Sequence, residues 1–298
     1  MISVSTLSSA NRGSSLGAEI ARLARTASLE MNIQDVKYLA ELRTRLGGGI
    51  RTFISHLPRQ HFDETVAACN AVAAQGLEPV PHLPVRLVES QRQLDGILRA
   101  LSSSGARELL LIAGDCPSAA GPFNDVGQVI ATGLLTQHGF TRVSMAGHPE
   151  GHPKVALETI RRAERDKARL AVQQGLEVSL VTQFLFEAEP FISWARELRA
   201  EGIQASLVCG LAGPAKITTL LRYAMRCGVG ASVRALGTHT ASILNIVGDH
   251  GPDGVLGDLA ESQVTGRCNL QSVHLFAFGG LVRTADWLAK TAGGGFLA

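Results

Sequence analysis

Seven polar side chains fall where apolar runs of this chain stop: Glu30, His56, His82, Asp115, His148, His152 and Gln183. Two carboxylates, four imidazoles and an amide form a set suited to proton transfer at one site. The pattern is clearest in ELLLIAGDCP (108–117), RVSMAGHPEGHP (142–153) and EVSLVTQFLFE (177–187), where runs of Leu, Ile and Val end in Asp115, His148 or Gln183. Runs of this kind read as strands of a parallel sheet buried on both faces. Such sheets bind ligands at the carboxyl ends of their strands, where these seven residues would lie.

Each residue also has a plainer reading. Glu30 lies within the apolar SLEM, so desolvation is expected to raise its pKa toward the range of a general acid; a neighbouring Arg or Lys would instead make it one half of an ion pair. Asp115 follows Gly114 in a turn where the backbone approaches something closely, or else caps the turn before Pro117. His148 and His152 flank Pro149-Glu150-Gly151, and the prolines exclude the regular helix on which two such histidines would share a face, so no metal is expected there. Gln183 is expected to be a buried amide, satisfied by the edge of a heterocycle or by backbone. The GGG runs at 47–49 and 293–295 lack the spacing of a phosphate loop.

Eight strand–helix units would position these residues. The strands are read at 25–31, 50–55, 77–82, 108–114, 141–147, 178–182, 204–210 and 274–279. Helices fall at 35–46, 63–75, 90–103 (Ser90 as N-cap), 125–137, 154–174 and 187–200, with one opened by Pro214 and one over 281–290. This rhythm predicts a single α/β domain over 1–298, a (β/α)₈ TIM barrel. Residues 1–24 are Ser-rich with a helical stripe of Leu16, Ile20, Leu23 and Ala24, read as an N-terminal helix covering the barrel floor. Between Ala231 and Ser272 the rhythm loosens into an insertion before strand eight.

Composition fits one large core: 298 residues, 45% hydrophobic and 18% charged. The net charge of +2 gives no footprint for nucleic acid or an anionic membrane. Five scattered cysteines suit reduced thiols in a cytoplasm better than a disulfide framework.

The motifs AGHPEGHP, VTQFLFE, SLEM, PVPHLP, AGDCP and CGLAGPAKITTLLRYAMRCGVG resemble those of the methylenetetrahydrofolate reductases, in their short, barrel-only bacterial form. The resemblance runs from about Arg25 to the last helix. It implies that Glu30 is the general acid that protonates the folate ring as it opens to the iminium ion. It places Asp115 between the flavin and the pterin, and Gln183 and Ile217 against folate. His56, His82, Ile112, Ala113, Gly114, Asp115, His148 and His152 fall where the family contacts FAD. Lys167 competes with Arg161, Arg162, Arg165 and Arg169 for the flavin diphosphate.

The implied activity is interconversion of methylene- and methyltetrahydrofolate with NADH or NADPH through bound FAD, in a protein that could form a homo-oligomer. The chain departs from the family at Ala113 (usually Arg), His56 (Thr) and His148 (Tyr). These departures bear on FAD more than on folate and leave direct hydride transfer from nicotinamide as an alternative. A non-redox folate one-carbon transferase and a binder without turnover also remain, although a binder has no need of an acid at Glu30.

Overall fold

The computed structural model describes residues 4–57, 59–152, 155–227 and 249–295. The strands are β1 (Ser28–Met31), β2 (Arg51–Ile54), β3 (Glu78–Pro84), β4 (Glu108–Ile112), β5 (Arg142–Gly147), β6 (Glu177–Leu185), β7 (Ser206–Ala212), the short β8 (Ala215–Lys216) and β9 (Asp249–His250), and β10 (Ser272–Phe276). Eight of them close a barrel in the order β1-β10-β7-β6-β5-β4-β3-β2, and every pairing around it is parallel. Strands β8 and β9 pair antiparallel outside it. The expected (β/α)₈ architecture is the one observed.

The helices are α1 (Val4–Arg25), α2 (Leu39–Leu46), α3 (Phe62–Ala74), α4 (Gln91–Ser103), α5 (Val126–Ala131), α6 (Leu134–Gln137), α7 (Leu157–Gln173), α8 (Glu189–Ala200), α9 (Ile217–Cys227), α10 (Asp253–Val264) and α11 (Leu281–Ala292). Ser90 caps α4 as expected, its side chain accepting from the Gln93 amide. The helix expected over 125–137 is instead two, broken where Gly133 takes a positive φ of 71°. Pro214 does not open a helix; β8 intervenes and α9 starts at Ile217. The loosened stretch before the last barrel strand contains α10, while residues 228–248 lie outside the described residues. In α1, Ile20, Leu23 and Ala24 are buried, and Arg22 donates to the Leu270 and Gln271 carbonyls just ahead of β10. That places α1 at the amino-terminal end of the barrel.

Period-two alternation sends successive side chains of each strand to two faces, one toward the helices and one into the barrel. Leu29, Ile54, Leu109, Leu111, Val143, Leu180, Leu211 and Leu275 pack outward against the helices. Phe53, Val80, Leu110, Val181 and Val208 make a separate apolar layer inside the barrel, with Ile112 against it. Below that layer sits an ionic floor. Glu108, 1% exposed, lies 3.3 Å from Arg142 and 3.8 Å from Arg51 and accepts from Ser144 Oγ at 2.6 Å. Above the layer, the inward positions turn polar.

Candidate active site at the barrel mouth

Glu30 is the centre of that polar layer. It occupies the inward third position of β1, opposite Phe53 of β2 and Phe276 of β10. Ser55, just past the end of β2, donates its hydroxyl to Glu30 Oε1 at 2.9 Å. Glu30 Oε2 lies 3.4 Å from His274 Nε2 and 3.5 Å from His82 Nε2. His274 is held by a 2.8 Å hydrogen bond between its Nδ1 and Ser28 Oγ, two residues before Glu30 on the same strand. The Glu30 side chain remains 21% exposed, so the cluster is open at the mouth.

The electrostatics differ from the expected rise in the Glu30 pKa. Burial does push it up, but the His82 charge and the hydrogen bonds from His274 and Ser55 together outweigh burial and hold it below 4.5. The unliganded carboxylate is therefore ionised. Burial pushes the His82 pKa below 6.5, with the Glu30 charge only partly offsetting it. His82 Nε2 and His56 Nε2 are both buried without a hydrogen-bond partner.

The remaining candidates line the rim in sequence. After β4, Gly114 takes φ 91°, and a side chain there would meet Pro84 at 3.1 Å, so this turn requires glycine. Arg86 secures the same loop by donating to the Cys116 and Asn124 carbonyls, which leaves Asp115 exposed. After β5, His148 sits in a loop rather than a helix, its ring 6.3 Å from that of exposed His152. Gln183, expected to be buried, is exposed. It rides on an irregularity in β6 between Val181 and Phe184, stabilised where Thr182 Oγ1 accepts from the Gly210 amide at 2.9 Å and donates to the Gln183 carbonyl at 2.7 Å. The register shift re-aims the side chain.

Three expected contacts stand differently from the rest. His56 is turned toward α3, bonded to Thr65 Oγ1 at 3.0 Å and stacked on Phe62. Ile112 packs on the interior apolar layer. Ile217 is buried and lines a cavity of about 550 Å³ between α8, α9 and α10, which none of the other candidates lines. Among the competing bases of α7, Arg161 is spent on the His148 and Pro149 carbonyls and on Glu164 and Glu197, and Arg165 is spent on Glu201. Lys167 is half-buried on the same helix. Among the described residues, no group of three or more His, Cys, Asp or Glu is placed to hold a metal ion. None of the helices described is long and apolar enough to cross a membrane.

Sequence reasoning did not single out Ser28, Ser55, Glu164 or His274. For His274 a signal existed, an imidazole inside the apolar strand SVHLFAF. For Glu164, in a highly charged helix, none did.

A closed parallel barrel with a carboxylate–imidazole cluster at its carboxyl-terminal mouth defines the class, a TIM-barrel protein equipped for acid–base chemistry. The family profile described as Methylenetetrahydrofolate reductase matches residues 58–233, more than half of the chain. The chain belongs to the methylenetetrahydrofolate reductase family. It is 28% identical to the 5,10-methylenetetrahydrofolate reductase of Pectobacterium carotovorum subsp. carotovorum, over 52% of this chain and 50% of that one. To methylenetetrahydrofolate reductase 2 of Saccharomyces cerevisiae it is 24% identical, over 74% of this chain and 35% of that one. The chain thus spans half or less of the length of these curated relatives. A solved tryptophan synthase from M. tuberculosis, ligand-free, covers 95% of the chain at TM-score 0.48 and 14% identity, with 99% of its own chain matched. Glu30 and His274 both lie outside the 58–233 match, so their pairing stands on geometry.

Proposed function

We propose that this protein is a reductase that interconverts 5,10-methylenetetrahydrofolate and 5-methyltetrahydrofolate with NADH or NADPH. The observation that carries the reading is the Glu30 cluster: an open carboxylate touching two imidazoles and a hydroxyl at the barrel mouth. Opening the folate ring to an iminium ion requires a proton on the departing nitrogen, and Glu30 is a group at the mouth that can carry one. It starts ionised. A bound pterin excludes water, and burial is already the largest influence on this carboxylate, so closure moves its pKa upward toward a protonated acid. His274, backed by Ser28, can exchange that proton with Glu30. Exposed Asp115 would supply a negative charge to the cationic iminium, and exposed Gln183 would offer both a donor and an acceptor to a pterin edge.

The residues present fit FAD, with fewer charges than its diphosphate would prefer. The partnerless buried Nε2 atoms of His56 and His82, the open turn at Ala113–Asp115 and His148 suit the ring, while His152 and Lys167 suit the remainder. FAD, when bound, would relay hydride between nicotinamide and folate. The chain's own residues position the two reactants on one face and handle the proton. Direct transfer from nicotinamide to folate is the second reading, favoured by Ala113 and by the commitment of Arg161 and Arg165 to other partners.

The test is NADH- and NADPH-dependent reduction of methylenetetrahydrofolate, together with the visible spectrum of the purified protein. Folate turnover with a flavin band supports the relay, and turnover by colourless protein supports direct transfer. No folate-dependent oxidation of either nucleotide, and no oxidation of methyltetrahydrofolate, would overturn the reading.

A further inference from the structure

The rim loop after β5 is tied down by a cluster that the Glu30 chemistry does not use. Glu164 of α7 is buried, its side chain 3% exposed. Its Oε1 accepts from the His148 backbone amide at 2.7 Å and faces His148 Nδ1 at 3.2 Å. Its Oε2 accepts from Trp194 Nε1 of α8 at 3.0 Å and from Arg161 Nη1 at 3.3 Å. Arg161 closes the clamp by donating to the His148 carbonyl at 2.9 Å. Gly147 allows the tryptophan to reach Glu164, since a Cβ there would stand 2.6 Å from the Trp194 ring. Glu164 and Arg161 of α7, with Trp194 of α8 behind Glu164, thus hold His148 by its ring, its amide and its carbonyl, more than a surface histidine needs.

We infer that Glu164 is a positioning residue that holds His148 with its Nδ1–H directed inward, so that Nε2 is presented at the mouth as an acceptor for an N–H donor on the edge of a bound heterocycle. An ionised carboxylate only accepts, so its imidazole partner must donate, and a neutral ring that donates from Nδ1 carries its lone pair on Nε2. Glu164 is ionised: burial raises its pKa, but the bonds from His148 and Trp194 and the Arg161 charge outweigh burial and hold it below 4.5. The His148 side chain is 30% exposed, so the outer edge of the ring is open. Gly147 pairs with Thr182, which puts His148 on the strand end next to Gln183, so a ring read by Gln183 lies within reach. Ring N–H groups, amino groups and carboxamides share this chemistry, and nicotinamide, pterin and flavin all offer one.

This inference rests on reading the mouth as a ligand site, and its test separates the two. The tautomer of His148 is read from the ¹⁵N shifts of the ligand-free wild-type ring, assigned by comparison with His148→Phe. Binding of NADH, of methyltetrahydrofolate and of FAD is titrated separately for wild type, His148→Phe and Glu164→Gln. The expected result is an Nδ1–H tautomer in the wild type and a loss of about three- to tenfold in affinity for one of the three ligands in His148→Phe, the worth of one hydrogen bond. Glu164→Gln is expected to reproduce that loss with a mixed tautomer. An Nε2–H tautomer in the wild type would overturn the positioning role, whether or not Glu164→Gln folds. Unchanged affinity for all three ligands in His148→Phe would overturn the contact. If the wild type binds none of them, the functional reading fails and the contact with it, while the tautomer still decides the dyad.

Discussion

His274 Nε2 stands 3.4 Å from Glu30 Oε2 across the seam where β10 pairs with β1 and the barrel closes. The two residues are 244 positions apart in sequence and are brought together only by that closure. Ser28, on the same strand as Glu30, holds the other nitrogen of the ring, so the seam carries an ordered Ser28–His274–Glu30 chain.

Replacing Glu30 by Gln preserves shape but removes the transferable proton. Folate turnover is expected to fall by about 10²–10⁴-fold, the usual worth of a general acid. Binding of NADH should be retained. Steady-state kinetics beside a nucleotide titration checks both, and unchanged folate turnover would remove Glu30 from the mechanism.

Ser28→Ala leaves a ring nitrogen of buried His274 without its partner. An unsatisfied buried group costs about 1–3 kcal/mol, to be read as a lowered urea midpoint. Turnover should decline less than in Glu30→Gln, because the ring still touches the carboxylate. If stability and turnover both match the wild type, the chain of bonds has no bearing on either.

The pH dependence of stability has a defined sign. Burial lowers the His56 and His82 pKa values below 6.5, so in mild acid the unfolded chain binds more protons than the native one. Their contribution is complete above about pH 6.5 and is lost as the pH falls through the native values. Glu30 and Glu164, held below 4.5, act with the same sign further into acid. Urea midpoints should therefore decrease from about pH 7.5 to about pH 5.5, with a shallower slope in His56→Gln. An equal slope in that variant would assign the effect to other groups.

FAD should bind more weakly than in relatives that keep an arginine before the Gly114 turn. One missing charge-assisted hydrogen bond is worth about 1.5–3 kcal/mol, or roughly one to two decades in affinity. The protein is expected to purify partly as apoprotein and to regain folate activity on addition of FAD. Restoring the donor with Ala113→Arg should tighten binding, as followed by flavin fluorescence. Activity that persists without any binding at high micromolar FAD would favour direct transfer.

Most of the barrel was legible in the order of the residues. Apolar runs of four to eight residues alternating with amphipathic stretches leave few arrangements other than a closed parallel sheet, and a polar residue ending such a run can only sit at a strand end. Glu30, His82 and Asp115 were placed at the mouth on that basis alone. Tertiary structure decided what those residues are. Glu30 was expected to be pushed upward by burial, yet its pKa is lowered because the barrel brings His82, His274 and Ser55 around it from three other strands or strand ends. Gln183 is exposed because the β6 register shifts beside Gly210, an effect of the neighbouring strand. Glu164 reaches His148 because two helices pack over the end of β5. Periodicity reports which face a residue takes along its own segment. Charge state and orientation depend on electrostatic and hydrogen-bonding partners from distant segments, which one-dimensional order does not contain.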